Sequence, residues 1–227
     1  MIIKVYKMPK KQIKCAVFDL DGTLLNTIKT ISYYLNLALS KNGLPCISES
    51  DCQRFVGNGA SLLVERALRH ISAYSERMHG QVFSDYNEAY DANPYYLTEP
   101  YPGVIELLSD LKARGISLAV LSNKPHTATS AAVSHFFPDV FDVVQGGVEG
   151  LPLKPRPDSL LSIMSALGST SEQTAYVGDS EVDVLTAKNA AVGLSLSVSW
   201  GFRTRRELEQ AGAVTLVDSP SDIKALL

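Results

Sequence analysis

Short apolar runs alternate with amphipathic helical patterns along most of this 227-residue chain, and few folds accommodate such an order. The runs typical of buried strands lie at 13–20, 116–123, 140–146, 174–180, 194–200 and 213–217. Helical patterns separate them, and two have clear ends, at 103–115 and 156–168. Strand and helix in turn predict an α/β fold in which helices cover both faces of a parallel sheet.

The interval from 26 to 99 breaks this alternation. Its patterns are helical, at 28–43, 60–72 and 81–94. The prolines and glycine of "LTEPYPG" (97–103) indicate the turn that returns the chain to the sheet. We therefore predict a Rossmann-like parallel sheet core with an inserted all-helical cap, and the limits are 1–25 plus 100–227 for the core and 26–99 for the cap.

The charge balance does not favour a nucleic-acid partner. The chain has 21 Lys and Arg against 24 Asp and Glu, a formal net charge of −3. Five lysines gather in "KVYKMPKKQIK" (4–14), a run typical of a solvated leader. No apolar run reaches the roughly 18 residues of a membrane span, and the N-terminus lacks a signal-peptide pattern. We expect neither a nucleic-acid nor a membrane partner.

The three cysteines, Cys15, Cys46 and Cys52, form neither an even set nor a CxxC pair. Their spacing therefore indicates neither a disulfide framework nor a zinc site. Because reduced thiols are typical of cytoplasmic proteins, we expect a cytoplasmic location.

Polar residues follow four of the predicted strands, at the point where each strand ends. They are Asp19 and Asp21, then Ser122 and Asn123, then Lys154, and finally Asp179 and Asp183. Each cluster alone has a plain explanation as a turn, a helix cap, a solvated lysine or acids at a helix start. Since ligands of open parallel sheets bind beyond the carboxyl ends of the strands, the coincidence of all four favours one site.

The chemistry of these residues fits phosphoryl transfer. The aspartates of the first and last clusters supply the oxygen ligands that Mg²⁺ prefers, and neighbouring carboxylates need such a cation. Lys154 adds positive charge, and Ser122 and the Asn123 backbone N–H add donors for phosphoryl oxygens. An aspartate can also serve as the nucleophile and become phosphorylated.

The order and spacing of these residues resemble the four motifs of the haloacid dehalogenase-like phosphatases. The matching stretches are "DLDGT" (19–23), Ser122, Lys154 in "KPRPD", and Gly178-Asp179 with Asp183. A helical cap inserted after the first motif is similar to one subclass of that family. The first motif departs from the family pattern at Asn26, where an aspartate is usual, but this position lies outside the catalytic pair.

The resemblance implies a two-step reaction. Asp19 would attack phosphorus and become phosphorylated, while Asp21 would protonate the leaving group and then take a proton from water. The resemblance also implies a Mg²⁺ ion held by the Asp19 carboxylate, the Asp21 backbone carbonyl and Asp179. Asp183 would bind this ion directly or through water.

The same resemblance assigns roles to the remaining motif residues. Ser122 and Lys154 would offset charge in the transition state, and removal of one such donor costs about 3 to 4 kcal/mol in related cases. Thr23 and Asn123 would contact the substrate.

Two stretches outside the motifs are similar to phosphoglycolate phosphatases: "RFVGNGASLLVERAL" (54–68) in the cap and "SVSWGFRTRREL" (197–208) after the fifth strand. They favour 2-phosphoglycolate, a small phosphorylated metabolite, as substrate. Its carboxylate would be bound by Arg54 or by the amides of Gly57, Asn58 and Gly59 at a helix start. The plainer interpretation is a surface arginine and a helix-start turn.

Other functions stay open at this point. A β-phosphoglucomutase-like isomerase shares the core and cap, and a pyrophosphatase and a broad-specificity sugar-phosphate phosphatase are further alternatives. A signalling receiver also uses acids, a hydroxyl and a lysine, but the chain length, the cap and Asp21 argue against it. A non-catalytic binding module that keeps the motifs is a further alternative. We expect a monomer or homodimer, and we expect most of the cap tyrosines to be packing residues.

Overall fold

The computed structural model describes residues 12–227, and its centre is a six-stranded parallel sheet in the order β5-β4-β1-β6-β7-β8. In chain order the strands are β1 (Cys15–Phe18), β2 (Leu25–Asn26), β3 (Glu99–Pro100), β4 (Ser117–Pro125), β5 (Val143–Gly147), β6 (Thr174–Gly178), β7 (Leu194–Val198) and β8 (Thr215–Val217). Strands β2 and β3 form a separate antiparallel pair. The predicted α/β class with a parallel sheet is confirmed.

Residues 12–227 also form ten α-helices, some of which cover the two faces of this sheet. They are α1 (Ile28–Lys41), α2 (Glu49–Phe55), α3 (Ala60–His70), α4 (Glu76–Ala92), α5 (Val104–Ala113), α6 (His126–Phe136), α7 (Asp158–Ala166), α8 (Glu181–Asn189), α9 (Arg205–Gln210) and α10 (Pro220–Leu226). The apolar stripes of α5, α6 and α10 pack on one face, and those of α7 and α8 pack on the other.

Strand β1 is apolar throughout because it is buried on both faces. Ala16 and Phe18 belong to the core on one face, and Cys15 and Val17 belong to the core on the other. The strand lies between β4 and β6, with Phe18 paired to a residue of each. The residue that follows Phe18 therefore emerges at the middle of the carboxyl edge of the sheet.

The four helices α1–α4 form their own apolar core, which includes Leu35, Leu39, Val64, Leu68 and Val82. The sequence did not predict α2, since seven residues are too few for a clear helical period. Helix α4 begins at Glu76 rather than at the expected residue 81. Both helices start at a serine whose side chain accepts a backbone hydrogen bond, from Asp51 N–H at α2 and from Met78 N–H at α4.

The chain leaves and re-enters the core region at adjacent points. Leu25 pairs with Pro100 and Asn26 with Glu99 in the short β2–β3 ladder, so both ends of the helical insertion lie side by side. The limits given for core and cap stay a prediction, and this pairing supports them.

Three further expectations concern the chain as a whole. The three cysteines are free, with Cys15 and Cys52 buried and Cys46 exposed. Most of the lysine-rich stretch, residues 4–11, lies outside the described residues. Within residues 12–227, none of the helices combines the length and the apolar character needed to cross a bilayer.

Candidate active site

Asp19 directly follows β1 and lies buried at the middle of the carboxyl edge. Its Oδ1 accepts a hydrogen bond from the Leu20 N–H at 2.7 Å and pairs with Lys154 Nζ at 2.8 Å. Among residues 12–227 both contacts fall on Oδ1, which leaves Oδ2 with its lone pairs for a ligand in the cavity that Asp19 lines. This is the arrangement a nucleophilic carboxylate needs.

The Lys154 ammonium is the positive centre of the site. Its Nζ lies 2.8 Å from Asp19 Oδ1 and 2.8 Å from Asp183 Oδ1, and its side chain is only 3% exposed. Burial alone would lower the pKa of Lys154, but the two carboxylates raise it well above the usual lysine value. The lysine therefore stays charged and holds together Asp19, which follows β1, and Asp183, which lies in α8.

Asp183 already has hydrogen-bond donors on both of its oxygens. Lys154 and the Tyr176 hydroxyl donate to Oδ1, at 2.8 and 3.0 Å. The N–H and hydroxyl of Ser180 donate to Oδ2, at 3.1 and 2.6 Å, in a capping box at the start of α8. Burial raises the pKa of Asp183, but Lys154 and these hydrogen bonds outweigh that effect and lower it. Asp183 thus orients the lysine and the helix.

Asp179 follows β6 and has fewer contacts. Its Oδ1 accepts from the Thr23 hydroxyl at 3.0 Å, and its Oδ2 accepts from the Phe202 N–H at 2.7 Å. Burial and the nearby Asp183 raise the pKa of Asp179 to about 7. Thr23, which we expected to contact substrate, is buried against Asp179 and does not line the cavity.

The three buried aspartates form a donor set that suits a hard divalent cation. One oxygen from each of Asp19, Asp179 and Asp183 lies within 4.8 Å of the others. Burial, together with the charges of the other two acids, raises the pKa of Asp19 well above its usual value although Lys154 opposes this. A cation would relieve the repulsion that these shifts report, so the residues present fit a metal ion.

Two glycines let backbone approach Asp179 closely. A Cβ on Gly22, where φ is +88°, would lie 2.4 Å from Asp179 Oδ2. A Cβ on Gly201 would lie 2.2 Å from the Cβ of Asp179. Because no side chain tolerates such distances, the acid can take this position only where both neighbours are glycine.

Ser122 and Asn123 lie in the last part of β4, beside Asp19. The Ser122 hydroxyl accepts from the Lys124 N–H at 3.2 Å, and its proton is left for a ligand. The Asn123 side chain bonds both backbone groups of Lys154, at 2.8 and 3.1 Å, and its Nδ2 also donates to the Gly57 carbonyl at 3.0 Å. Asn123 therefore fixes the Lys154 loop through its side chain, and a substrate contact by its backbone N–H stays a prediction.

Lys124 is a cavity-lining residue that the sequence did not single out. Its Nζ donates to the Tyr90 hydroxyl at 2.6 Å and lies 3.5 Å from Asp21 Oδ1. Burial would lower the pKa of Lys124, but Asp21 and Tyr90 outweigh it and raise the pKa above the usual value. The oxygen Asp21 Oδ1 has no hydrogen bond within residues 12–227, although it is buried. The lysine adjoins the predicted Ser122-Asn123 pair, and that adjacency was the available signal.

Arg203 connects the core to the cap and was also missed. Its guanidinium donates to the carbonyls of Gln53 and Val56, both at 2.8 Å, and pairs with Glu181 at 2.8 Å. Beside it, the Phe202 carbonyl accepts from Gln53 Nε2 at 2.7 Å. The stretch 197–208 is similar to phosphoglycolate phosphatases, but the sequence does not single out Arg203 among its three arginines.

The structure brings part of the predicted cap loop to the cavity. Gly57 and Gly59 line it together with Tyr90. Arg54 does not, since its side chain is 63% exposed and pairs with Asp51. Asn58 does not line the cavity either, and its side-chain oxygen accepts from Arg66 Nη2 at 2.8 Å. The geometry therefore offers no support for a substrate contact by Arg54 or by the Asn58 side chain.

The sheet, the inserted helices and the acidic site agree with a comparison against known families. A model of haloacid dehalogenase-like hydrolases matches residues 16–195. The chain belongs to this family. Its motif residues Asp19, Ser122, Lys154 and Asp179 lie within the matched range and around one cavity.

Several relatives place the chain more finely within the haloacid dehalogenase-like hydrolases. The phosphoglycolate phosphatase of Cereibacter sphaeroides is 37% identical over 190 residues, which cover 82% of this chain and 85% of that protein. The phosphoglycolate phosphatase of Rhodospirillum rubrum is 34% identical over 215 residues, or 90% and 87%. The chain is thus a member of the phosphoglycolate phosphatase-like subgroup and a phosphoric monoester hydrolase.

Solved structures agree with this placement. A candidate phosphoglycolate phosphatase from Lactobacillus delbrueckii subsp. bulgaricus superposes with a TM-score of 0.90 at 30% identity, covering 95% of this chain and 98% of that one. A predicted phosphoglycolate phosphatase from Haemophilus somnus has a TM-score of 0.88 at 29% identity with the same coverage. The α/β core and its helical cap are therefore those of the haloacid dehalogenase-like family.

Proposed function

We propose that this chain hydrolyses 2-phosphoglycolate in a Mg²⁺-dependent reaction that proceeds through a phosphorylated Asp19. The observation that carries the proposal is the buried cluster of three carboxylates around one lysine, in which Asp19 keeps a free oxygen toward the cavity. Relatives named phosphoglycolate phosphatase support the choice of substrate.

In the first step, an oxygen of Asp19 forms a bond to phosphorus as the bond from phosphorus to the ester oxygen breaks. Asp21 lies two residues further along, and its protonated carboxyl gives a proton to the leaving alkoxide. In the second step, water attacks the phosphorus of the acyl phosphate and Asp21 takes the proton of that water. Inorganic phosphate leaves, and both aspartates return to their initial states.

Asp19, Asp179 and the Asp21 backbone carbonyl are the groups that would hold Mg²⁺ directly. Asp183 would act through water, since direct coordination would displace the donors that already occupy its two oxygens. When bound, the ion supplies positive charge to the phosphoryl oxygens as negative charge develops there.

Lys154, Ser122 and the Asn123 N–H are the remaining donors to the phosphoryl group. Lys154 is held in place by Asp183 and by the Asn123 side chain, so it is already oriented before substrate arrives. Preorganised donors of this kind are worth about 3 to 4 kcal/mol each to the transition state. The proposal also includes a small phosphorylated metabolite as the substrate, a cytoplasmic location, and a monomeric or homodimeric state.

Initial rates test the proposal directly. We expect 2-phosphoglycolate to show the highest kcat/KM among 2-phosphoglycolate, β-glucose 1-phosphate, pyrophosphate and p-nitrophenyl phosphate at one Mg²⁺ concentration, and EDTA to abolish turnover. A higher kcat/KM for pyrophosphate or p-nitrophenyl phosphate, or isomerisation of the sugar phosphate, would overturn the choice of substrate.

Two variants test the residue roles. Asp19→Asn should remove turnover, whereas the exposed Asp139→Asn, a matched control, should retain it. Asp21→Asn should form the phosphorylated enzyme slowly and fail to hydrolyse it, so acid-quenched protein should retain phosphate. Turnover by Asp19→Asn would show that the nucleophile is misassigned.

A further inference from the structure

A second lysine, with a mostly buried side chain, lines the cavity beside the phosphoryl site. Lys124 stands two residues after Ser122 in β4, and its side chain is only 10% exposed. The Lys124 ammonium lies 4.4 Å from the centre of the Tyr90 ring and donates to the hydroxyl of that tyrosine, which belongs to α4. A core cation thus reaches a cap side chain across the cavity.

This ammonium has donors to spare. Of its three N–H groups, one is satisfied at 2.6 Å by Tyr90, while its other neighbour, Asp21 Oδ1, lies at 3.5 Å. Asp21 Oδ1 is buried and has no hydrogen bond within the described range 12–227. At 3.5 Å the contact is too long for a good hydrogen bond. The lysine can therefore accept a further anionic partner.

The other cations that line the cavity are already engaged. Lys154 Nζ lies 2.8 Å from each of two carboxylates. Arg203 pairs with Glu181 and donates to two cap carbonyls. Among the described cations that line this cavity, Lys124 has one close hydrogen bond, whereas Lys154 keeps a single N–H, which the proposed function assigns to the phosphoryl group.

The position of Lys124 relative to the phosphoryl site also matches a small dianionic ester. Ser122 and Lys124 stand two residues apart in a part of β4 where the pairing with β5 is irregular, and both line the cavity. A phosphoryl group bound at Ser122 and Asp19 would thus leave a second anionic group, one or two carbons away, within reach of the Lys124 side chain.

We propose that Lys124, held by Tyr90, binds the carboxylate of the substrate and makes the enzyme select phosphorylated carboxylic acids over phosphate esters that lack a carboxylate. The proposal rests on the proposed function, because a phosphoglycolate substrate supplies such a carboxylate. It assigns to one core lysine the role that the sequence gave to Arg54 or to the amides of Gly57, Asn58 and Gly59.

The test compares two substrates that differ only in the group Lys124 would contact: 2-phosphoglycolate and 2-hydroxyethyl phosphate. The readout is the ratio of their kcat/KM values in the wild type, Lys124→Met, Lys124→Arg and Tyr90→Phe. Loss of one partner of a buried charge pair should lower this ratio about 30-fold or more in Lys124→Met. Lys124→Arg should keep a larger part of the preference for 2-phosphoglycolate than Lys124→Met does. The exposed Lys188→Met, a control, should keep all of this preference.

A binding measurement separates this inference from the proposed function. We would compare inhibition by 3-phosphonopropionate, a non-hydrolysable probe with a carboxylate, with inhibition by propylphosphonate, its counterpart without the carboxylate. The wild type should bind the carboxylate probe more tightly, and Lys124→Met should lose that advantage. If the wild type hydrolyses another ester best but the advantage still depends on Lys124, the proposed function fails and the subsite stands.

The opposite results overturn the inference. If the wild type prefers 2-phosphoglycolate and Lys124→Met lowers kcat/KM for both esters equally, the lysine only ties Tyr90 of the cap to the core. The same conclusion follows if Lys124→Met still binds 3-phosphonopropionate more tightly than propylphosphonate. In that case the backbone amides of Gly57–Gly59 are the remaining candidates to bind the carboxylate.

Discussion

Removal of the Lys154 charge should destabilise the metal-free enzyme strongly. The variant Lys154→Met keeps most of the length of the side chain but leaves Asp19 and Asp183 as buried carboxylates without their shared cation. Breaking a buried ion pair by removal of one partner costs about 3 to 5 kcal/mol. Two contacts of 2.8 Å at a side chain that is 3% exposed place Lys154 in this range. We therefore expect the free energy of unfolding to fall by about 3 to 5 kcal/mol in EDTA at neutral pH.

Added Mg²⁺ should reduce this loss. The variant has one positive charge fewer beside the same three acids, so the cation should bind it more tightly and stabilise it more than the wild type. A ligand at 100 times its dissociation constant stabilises the folded state by about 2.7 kcal/mol. Because Asp19 has a raised pKa, mild acid should also narrow the gap by protonating the unpaired acid.

Urea unfolding followed by circular dichroism measures these differences, with and without Mg²⁺. The exposed Lys188→Met is the matched control and should unfold like the wild type. A loss below about 1 kcal/mol in EDTA is the size expected for a solvent-exposed pair, and it would refute the reasoning. Equal stabilisation of variant and wild type by Mg²⁺ would refute the part that concerns the metal.

Three other outcomes concern Asp179 and the cap. In EDTA, the free energy of unfolding should fall as the pH rises from about 5 to about 8. The reason is that the pKa of Asp179 is about 7 in the folded state against an ordinary 3.8, so the folded state binds a proton that it loses across this window. A melting temperature that rises with pH would contradict this. Gly22→Ala should lower the free energy of unfolding by about 2 kcal/mol or more and displace Asp179. Gly43 also has a positive φ but lies in open space, so Gly43→Ala should lower the free energy of unfolding by only about 1 kcal/mol in the same melts. Arg203→Met should raise KM for 2-phosphoglycolate about tenfold or more while kcat changes less, because two cap carbonyls lose a charged donor. The exposed Arg206→Met is the control. If Arg203→Met and the wild type have equal KM values, the contact between Arg203 and the cap does not contribute to substrate binding.

The sheet and the acidic cluster could be predicted because both depend on local signals. A strand buried on both faces must be apolar along its whole length, as β1 is, and a charge directly after it must lie at the carboxyl edge. Parallel topology then brings the strand ends together without any knowledge of the side-chain contacts. Asp19, Lys154, Asp179 and Asp183 met for this reason.

The cap side of the site could not be predicted in the same way. Which helix residues face the cavity depends on how the cap sits on the core, and no local pattern specifies that. Arg54 and Arg66 are equivalent in the sequence, yet one pairs with Asp51 at the surface and the other bonds the Phe55 carbonyl. Lys124 has a side chain only 10% exposed and bonds the hydroxyl of Tyr90, which lies 34 residues earlier in the chain.

The short β2–β3 pairing has a consequence for how enzymes of this architecture diversify. Since Leu25 and Pro100 are neighbours, a foreign helical segment of another length could be joined at these two points without stretching the sheet beneath it. Such a chimera would inherit the reactive acids intact. It would also inherit Lys124 without Tyr90, so the ammonium would keep Asp21 as a neighbour but lose the hydroxyl that holds it in the proposed carboxylate site.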